Sequence, residues 1–271
     1  MDKTRNQMLL LAVVVVGAAA LAVFAENQVS KAPAQTASST ITVSTSTPGA
    51  TVAVPTVPAA TPAQGAVATG PFPINPADRI ASWTFKGAYS GNATLTSQAN
   101  ADITHLTGLL GKGQYDDYDL YDGIANDYTS LGDGQTAYDN YNRAIAIHPS
   151  KGLAYANLGH LFDGLGAEFT AADAYAKATV VEPTQMEYYI QRLDFLTGKL
   201  PNDNSAILAA FSDASKQFGD AAPILSIEAE WLAGQKRYAD AIAAWQKVES
   251  LSPGADNSSI DAQIARLKAK E

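Results

Sequence analysis

The chain has 271 residues, a formal net charge of -9 and no cysteine. The acidic balance argues against a nucleic-acid partner, whose recognition needs clustered Lys and Arg. Without thiols, disulfides, thiolate metal sites, thiol catalysis and a lipid-modified N-terminal cysteine are excluded.

The first element spans residues 8–25, MLLLAVVVVGAAALAVFA, uncharged and preceded by Lys3 and Arg5, with Glu26 behind it. At about 1.5 Å per residue such a helix is about 27 Å long, close to the hydrocarbon thickness of a bilayer. The positive flank keeps residues 1–7 in the cytoplasm and sends everything after Glu26 outward, as a single-pass protein of the cytoplasmic membrane. Ala20-Leu21-Ala22 and Val23-Phe24-Ala25 also suit a signal peptidase, so the segment is either a retained transmembrane anchor or a cleaved signal sequence. Both alternatives export the rest of the chain.

Residues 26–76 form a Pro/Thr/Ser/Ala-rich stretch. Eight of the thirteen prolines fall between Pro33 and Pro76, and from Asn27 to Ala77 the only charged side chain is Lys31. Such a segment cannot offset its ordering entropy by burial, which predicts a disordered linker spanning about 40 Å as a coil and about 150 Å when extended. Its Ser and Thr content also suits O-glycosylation.

Residues 77–117 hold a leading segment and a leading helix. Ile80, Trp83, Phe85 and Tyr89 stand among small residues, as in a short strand or a cap on the first helix pair that buries Trp83. Ile103, Leu106, Leu109 and Leu110 then recur at helical spacing over Thr96 to Leu110, until Gly111-Lys112-Gly113 ends the pattern.

From residue 118 the chain repeats itself at an offset of 34 residues. Tyr121, Ile124, Ala125, Tyr128, Gly132, Ala137, Tyr141, Ala144 and Pro149 fall opposite Tyr155, Leu158, Gly159, Phe162, Gly166, Ala171, Tyr175, Ala178 and Pro183. Apolar residues three and four apart give each half of a unit one sticky stripe. Small residues at Ala125, Gly159, Ala137 and Ala171 let two helices approach closely; Gly132 and Gly166 permit the turn between them, and the prolines end each second helix. Each unit is thus an antiparallel helix pair that must stack on the next to bury its open side.

These residues resemble the tetratricopeptide repeat family, whose 34-residue signature runs aromatic, Leu-Gly, Tyr, Ala, aromatic, Ala, Pro. Residues 152–185 match every signature position, and residues 118–151 depart only in carrying Ala125 for Gly. Residues 186–220 keep Tyr188, Tyr189, Leu193, Gly198, Phe211 and Ala214 but need an insertion of about four residues around Leu200-Pro201-Asn202-Asp203. Residues 221–254 keep Trp231, Leu232, Tyr238, Ala241, Trp245 and Pro253, with Gly234 two places early for an elbow. Residues 255–271 place Ile260, Ile264 and Leu267 on one helical face, as a C-terminal capping helix needs. The expected fold class is therefore all-α: a helix-pair solenoid of three to four repeats plus a capping helix, preceded by one transmembrane helix and a disordered linker.

Chemical motifs are sparse. Gly159-x4-Gly164 lacks the Lys-Ser/Thr that a phosphate loop places after its second glycine, and helix contact and elbow account for its glycines. Asp116, Asp117, Asp119, Asp122, Asp127 and Asp133 do not keep the alternation of a calcium loop, and they read as a solvated acidic helix face. His105, His148 and His160 are isolated from other ligand types except carboxylates, and His148 sits in a helix-terminal turn. No cofactor, metal site or catalytic residue is assigned.

In the resembled family the first helix of each pair lines a concave face that contacts partner peptides. That resemblance points to Asp122, Asn126 and Thr129 in the first unit and to His160 and Asp163 in the second. In the third, Glu187, Gln191 and Asp194 share one helical face. The family's carboxylate clamp needs Lys where this chain has Asp122, so chaperone C-terminal peptides do not fit and a basic or polyhydroxylic partner does. The expectation is an extracytoplasmic, membrane-tethered scaffold of a bacterial envelope that binds a protein or peptide through an acidic, polar groove. The alternatives are a purely structural surface component and, from a different class, a hydrolase working through the cluster near Asp119.

Overall fold

The computed structural model describes residues 71–253 and 256–271. The expected anchor at 8–25 and the linker up to residue 70 lie outside the described residues. Ten α-helices are present among those described: α1 Ala93–Leu109, α2 Asp117–Leu131, α3 Gly134–Ile147, α4 Leu153–Gly164, α5 Glu168–Val181, α6 Met186–Lys199, α7 Asn204–Phe218, α8 Ala222–Gly234, α9 Tyr238–Leu251 and α10 Ser258–Lys268. None of the described helices is long and apolar enough to cross a membrane.

Helices α2 to α9 make four antiparallel pairs, and several of their boundaries have a local cause. Asp116 accepts the Tyr118 N–H at the start of α2, Asp133 accepts the Thr136 N–H and hydroxyl at the start of α3, and Asp203 accepts the Ala206 N–H at the start of α7. Helices α3, α5 and α9 end two residues before Pro149, Pro183 and Pro253, which cannot continue a helix. At the first elbow Gly132 adopts φ 86°, and a Cβ there would run into the Phe85 carbonyl.

The core follows the repeat stripes. Ala125, Ala137, Ala144, Ala154, Leu158, Phe162, Ala171 and Ala178 are fully buried between helices. Gly159 lies against the Tyr175 ring, so closely that an added Cβ would stand 2.7 Å from it. Ile264 and Leu267 of α10 close the far end, packed on α9. First helices of neighbouring pairs also meet, α2 with α4 and α6 with α8, whereas among the described residues no two second helices touch to a comparable extent. The array therefore curves with its first helices inside.

Residues 71–91 form an extended strap over the first two pairs. The Phe72 ring packs on Tyr155 and Phe162; its N–H reaches Asn142 and its carbonyl accepts the Tyr138 hydroxyl. Asn75 bonds Thr170 and Asp173, and Asp78 accepts the Thr170 N–H, supplying the cap that Ala167 cannot give α5. Nearer α1, Trp83 lies half-buried on Tyr138, and the strap backbone pairs with the first elbow through Gly134 N–H to Trp83 O and Phe85 N–H to Gly132 O. The folded part thus begins earlier than composition indicates. Residues 71–76, which composition assigns to the linker, are held because Phe72 and Asn75 find partners about 70 to 95 residues away.

Candidate partner-binding groove

The residues that the repeat pattern leaves free on the first helices meet different fates. Asp122 is not on the groove surface: it is buried between α2 and α4, where the Asn157 amide donates to both carboxylate oxygens at 3.1 Å. Burial pushes its carboxyl up to about 7, the Asn157 hydrogen bond opposing and the Asp119 charge adding to the effect. Thr129 is also withdrawn, donating to the Ala125 carbonyl at 2.9 Å and meeting the Tyr141 hydroxyl at 3.2 Å. Asn126 stays exposed.

His160 is exposed and stands edge-on to Tyr175 at 5.9 Å. Desolvation by the neighbouring protein lowers its pKa, and the Asp163 charge opposes the shift. Asp163 itself is paired with Lys199 of α6 at 2.6 Å. Glu187 and Asp194 are exposed on α6, where Glu187 accepts the Gln191 amide at 3.2 Å.

The acidic cluster ahead of and along α2 is not one solvated face. Asp116 caps α2 and holds His148 at 2.9 Å and Lys151 at 3.1 Å, while Lys151 reaches Asp119 at 3.6 Å. Asp133 caps α3, and burial followed by the Asp102 charge raises Asp127 to about 7. Most of these carboxylates hold the structure together locally.

Two contacts and one shared cleft link neighbouring first helices. Asp122 meets Asn157, Asp163 meets Lys199, and Asp194 shares a cleft with Glu230. The partners are 35 or 36 residues apart, and 36 is the local spacing of the third and fourth units, whose buried Tyr189, Leu193 and Leu196 correspond to Leu225, Ala229 and Leu232. Sequence reasoning therefore missed Asn157, Lys199 and Glu230; an offset of 35 to 36 among polar residues is the signal that would have found them.

The arrangement has known counterparts. The C-terminal part of a TPR repeat-containing protein from Cytophaga hutchinsonii is similar at a TM-score of 0.50 and 17% identity, covering 65% of this chain and 69% of that one. The fold is that of the tetratricopeptide repeat. Other tetratricopeptide structures resemble it at lower scores: a thermophilic TPR protein of Thermus thermophilus at a TM-score of 0.44 and 19% identity, covering 64% of this chain and 92% of that one, and YrrB, a TPR protein with an unusual peptide-binding site, at 0.45 and 17%, covering 62% and 84%. No protein-family model matches the sequence, and no curated protein does.

Within the tetratricopeptide array the third pair departs most from the repeat. The loop from Leu200 to Asp203, where this unit carries its extra residues, has no left-handed glycine. Its Pro201 becomes one wall of a cleft of about 320 Å³ whose other walls are Asp194, Thr197, Ile227, Glu230 and Trp231. The fourth elbow keeps the tetratricopeptide hydrogen bonds, Lys236 N–H to Ala233 O and Arg237 N–H to Leu232 O, with Lys236 at φ 61° where the second pair has Gly166.

Proposed function

We propose that this chain is a non-enzymatic interaction module that binds a basic segment of a protein partner on the inner face of its tetratricopeptide array, outside the cytoplasmic membrane and within a bacterial envelope assembly. The observation that carries the reading is the surface composition of the first helices: Asn126, Glu187, Asp194 and Glu230 are exposed there. Such a face attracts a cationic partner and repels an acidic one. The uncharged segment 8–25 and the proline-rich stretch behind it support a membrane-tethered or exported module.

A photo-crosslinking side chain at Asn126, on the inner face, tests the reading against one at Asp139 on the exposed side of α3. Crosslinks to a protein partner from Asn126 and none from Asp139 are expected in cells. Equal products from both positions, or none from either, would favour the purely structural role instead.

A further inference from the structure

Asn75, Asn100, Asn140, Asn142 and Asn157 each donate through Nδ2 to a protein oxygen, at 2.8 to 3.1 Å. Asn92 does the reverse. At the cap of α1 its Oδ1 accepts the Leu95 N–H at 3.1 Å, while among the described residues its Nδ2 meets no acceptor. The residue is exposed, so that nitrogen is left to solvent.

Two further observations mark the same place. Asn92 opens the triplet Asn92-Ala93-Thr94, an asparagine followed by a residue other than proline and then by threonine, which is the acceptor pattern of N-linked glycosylation. All three residues are exposed. The triplet also begins on a tight turn: the Asn92 N–H donates to the Tyr89 carbonyl at 3.0 Å, and Gly91 stands at φ 82° with nothing within 4 Å of where a Cβ would be. From there it runs into the first turn of α1, and helix ends fray at small cost, so an extended acceptor conformation is within reach of an enzyme. The pattern recurs at Asn257-Ser258-Ser259, but Asn257 is half-buried.

We propose that Asn92 carries an N-linked glycan, added outside the cytoplasmic membrane by a cellular oligosaccharyltransferase from a lipid-phosphate-linked oligosaccharide. The Asn92 Nδ2 attacks the anomeric carbon of the donor sugar. A C–N bond forms as the bond from that carbon to the phosphate oxygen breaks; one amide proton is lost to a base and the lipid phosphate leaves. The proposal rests on the exported topology proposed above and adds a modification to it. Helix α1 buries only Ala99, which leaves this end of the stack open. A hydrated sugar beside it would supply the polar covering that the end of a solenoid needs against another array.

The test uses the full chain isolated from the membranes of its own cells and digested with trypsin, which releases Asn92 within the peptide from Gly87 to Lys112. Mass spectrometry should find that peptide carrying an oligosaccharide, and fragmentation should place it on Asn92. Occupancy should fall at least tenfold in Asn92→Gln and in Thr94→Ala and persist in Thr94→Ser, which keeps the hydroxyl. Because the chain has no cysteine, Gln263→Cys on α10 supplies a single thiol for a membrane-impermeant maleimide in intact cells. Labelling of that thiol with an unmodified Asn92, or a sugar that survives Asn92→Gln and is therefore linked to a hydroxyl, would overturn the proposal and leave the exported topology standing. A thiol that stays unlabelled, with Asn92 unmodified, would overturn both.

Discussion

Asp78 caps a helix that begins about ninety residues later: its carboxylate accepts both the Thr170 N–H and the Thr170 hydroxyl at 2.6 Å. Ala167, at the cap position of α5, has no side chain for the task, so the strap completes the second pair. Asp78→Ala should lower stability by about 1 to 2 kcal/mol, and Asp78→Asn by less, because its amide oxygen still accepts. Urea denaturation followed by circular dichroism measures both. An unchanged midpoint in the alanine variant would show that the strap does not support α5.

Lys236 stands at φ 61°, a backbone state that a side chain disfavours and glycine adopts freely. Lys236→Gly should raise stability by about 0.5 to 1 kcal/mol despite the added freedom of the unfolded chain. A lowered melting temperature would mean that the Lys236 side chain contributes more than its strained backbone costs.

Two helical glycines should respond oppositely to alanine. At Gly159 an added Cβ meets the Tyr175 ring at 2.7 Å, and overpacking of this kind costs about 1 to 3 kcal/mol, more than the gain in helix propensity. At Gly234 nothing stands within 4 Å, so alanine should stabilise by up to about 1 kcal/mol. Melting temperatures of the two variants that moved in the same direction would contradict this packing.

Asp122 should make stability fall as pH rises. Burial raises its carboxyl to about 7, so the folded chain keeps a proton that the unfolded chain releases near the ordinary carboxylate value of about 4. The folded state therefore binds more protons across that window, and stability declines from about pH 4 to about pH 7. Asp127 acts in the same direction. Asp122→Asn should match the parent near pH 4 and exceed it at pH 8 by on the order of 1 to 3 kcal/mol, with Asn157 still bonded. Denaturation midpoints at the two pH values decide it: a variant less stable than the parent at pH 8 would show that Asp122 is held charged.

The sequence by itself determined the helix pairs. Tyr141, Ala144, Gly166 and Pro183 act over one or two helical turns, so their spacing alone sets where helices start, touch and stop, and even the degenerate third and fourth pairs fold as pairs. Tertiary structure decided everything that depends on two distant side chains meeting. Phe72 and Asp78 lie in or beside a stretch whose composition resembles a linker, and only their contacts with Tyr155 and Thr170 order it. Asp122 and Asp163 share the same polar character in sequence, yet one is buried against Asn157 and the other paired with Lys199 at the surface. Asp194 and Glu230 come to line one cleft only because α6 and α8 stack on each other.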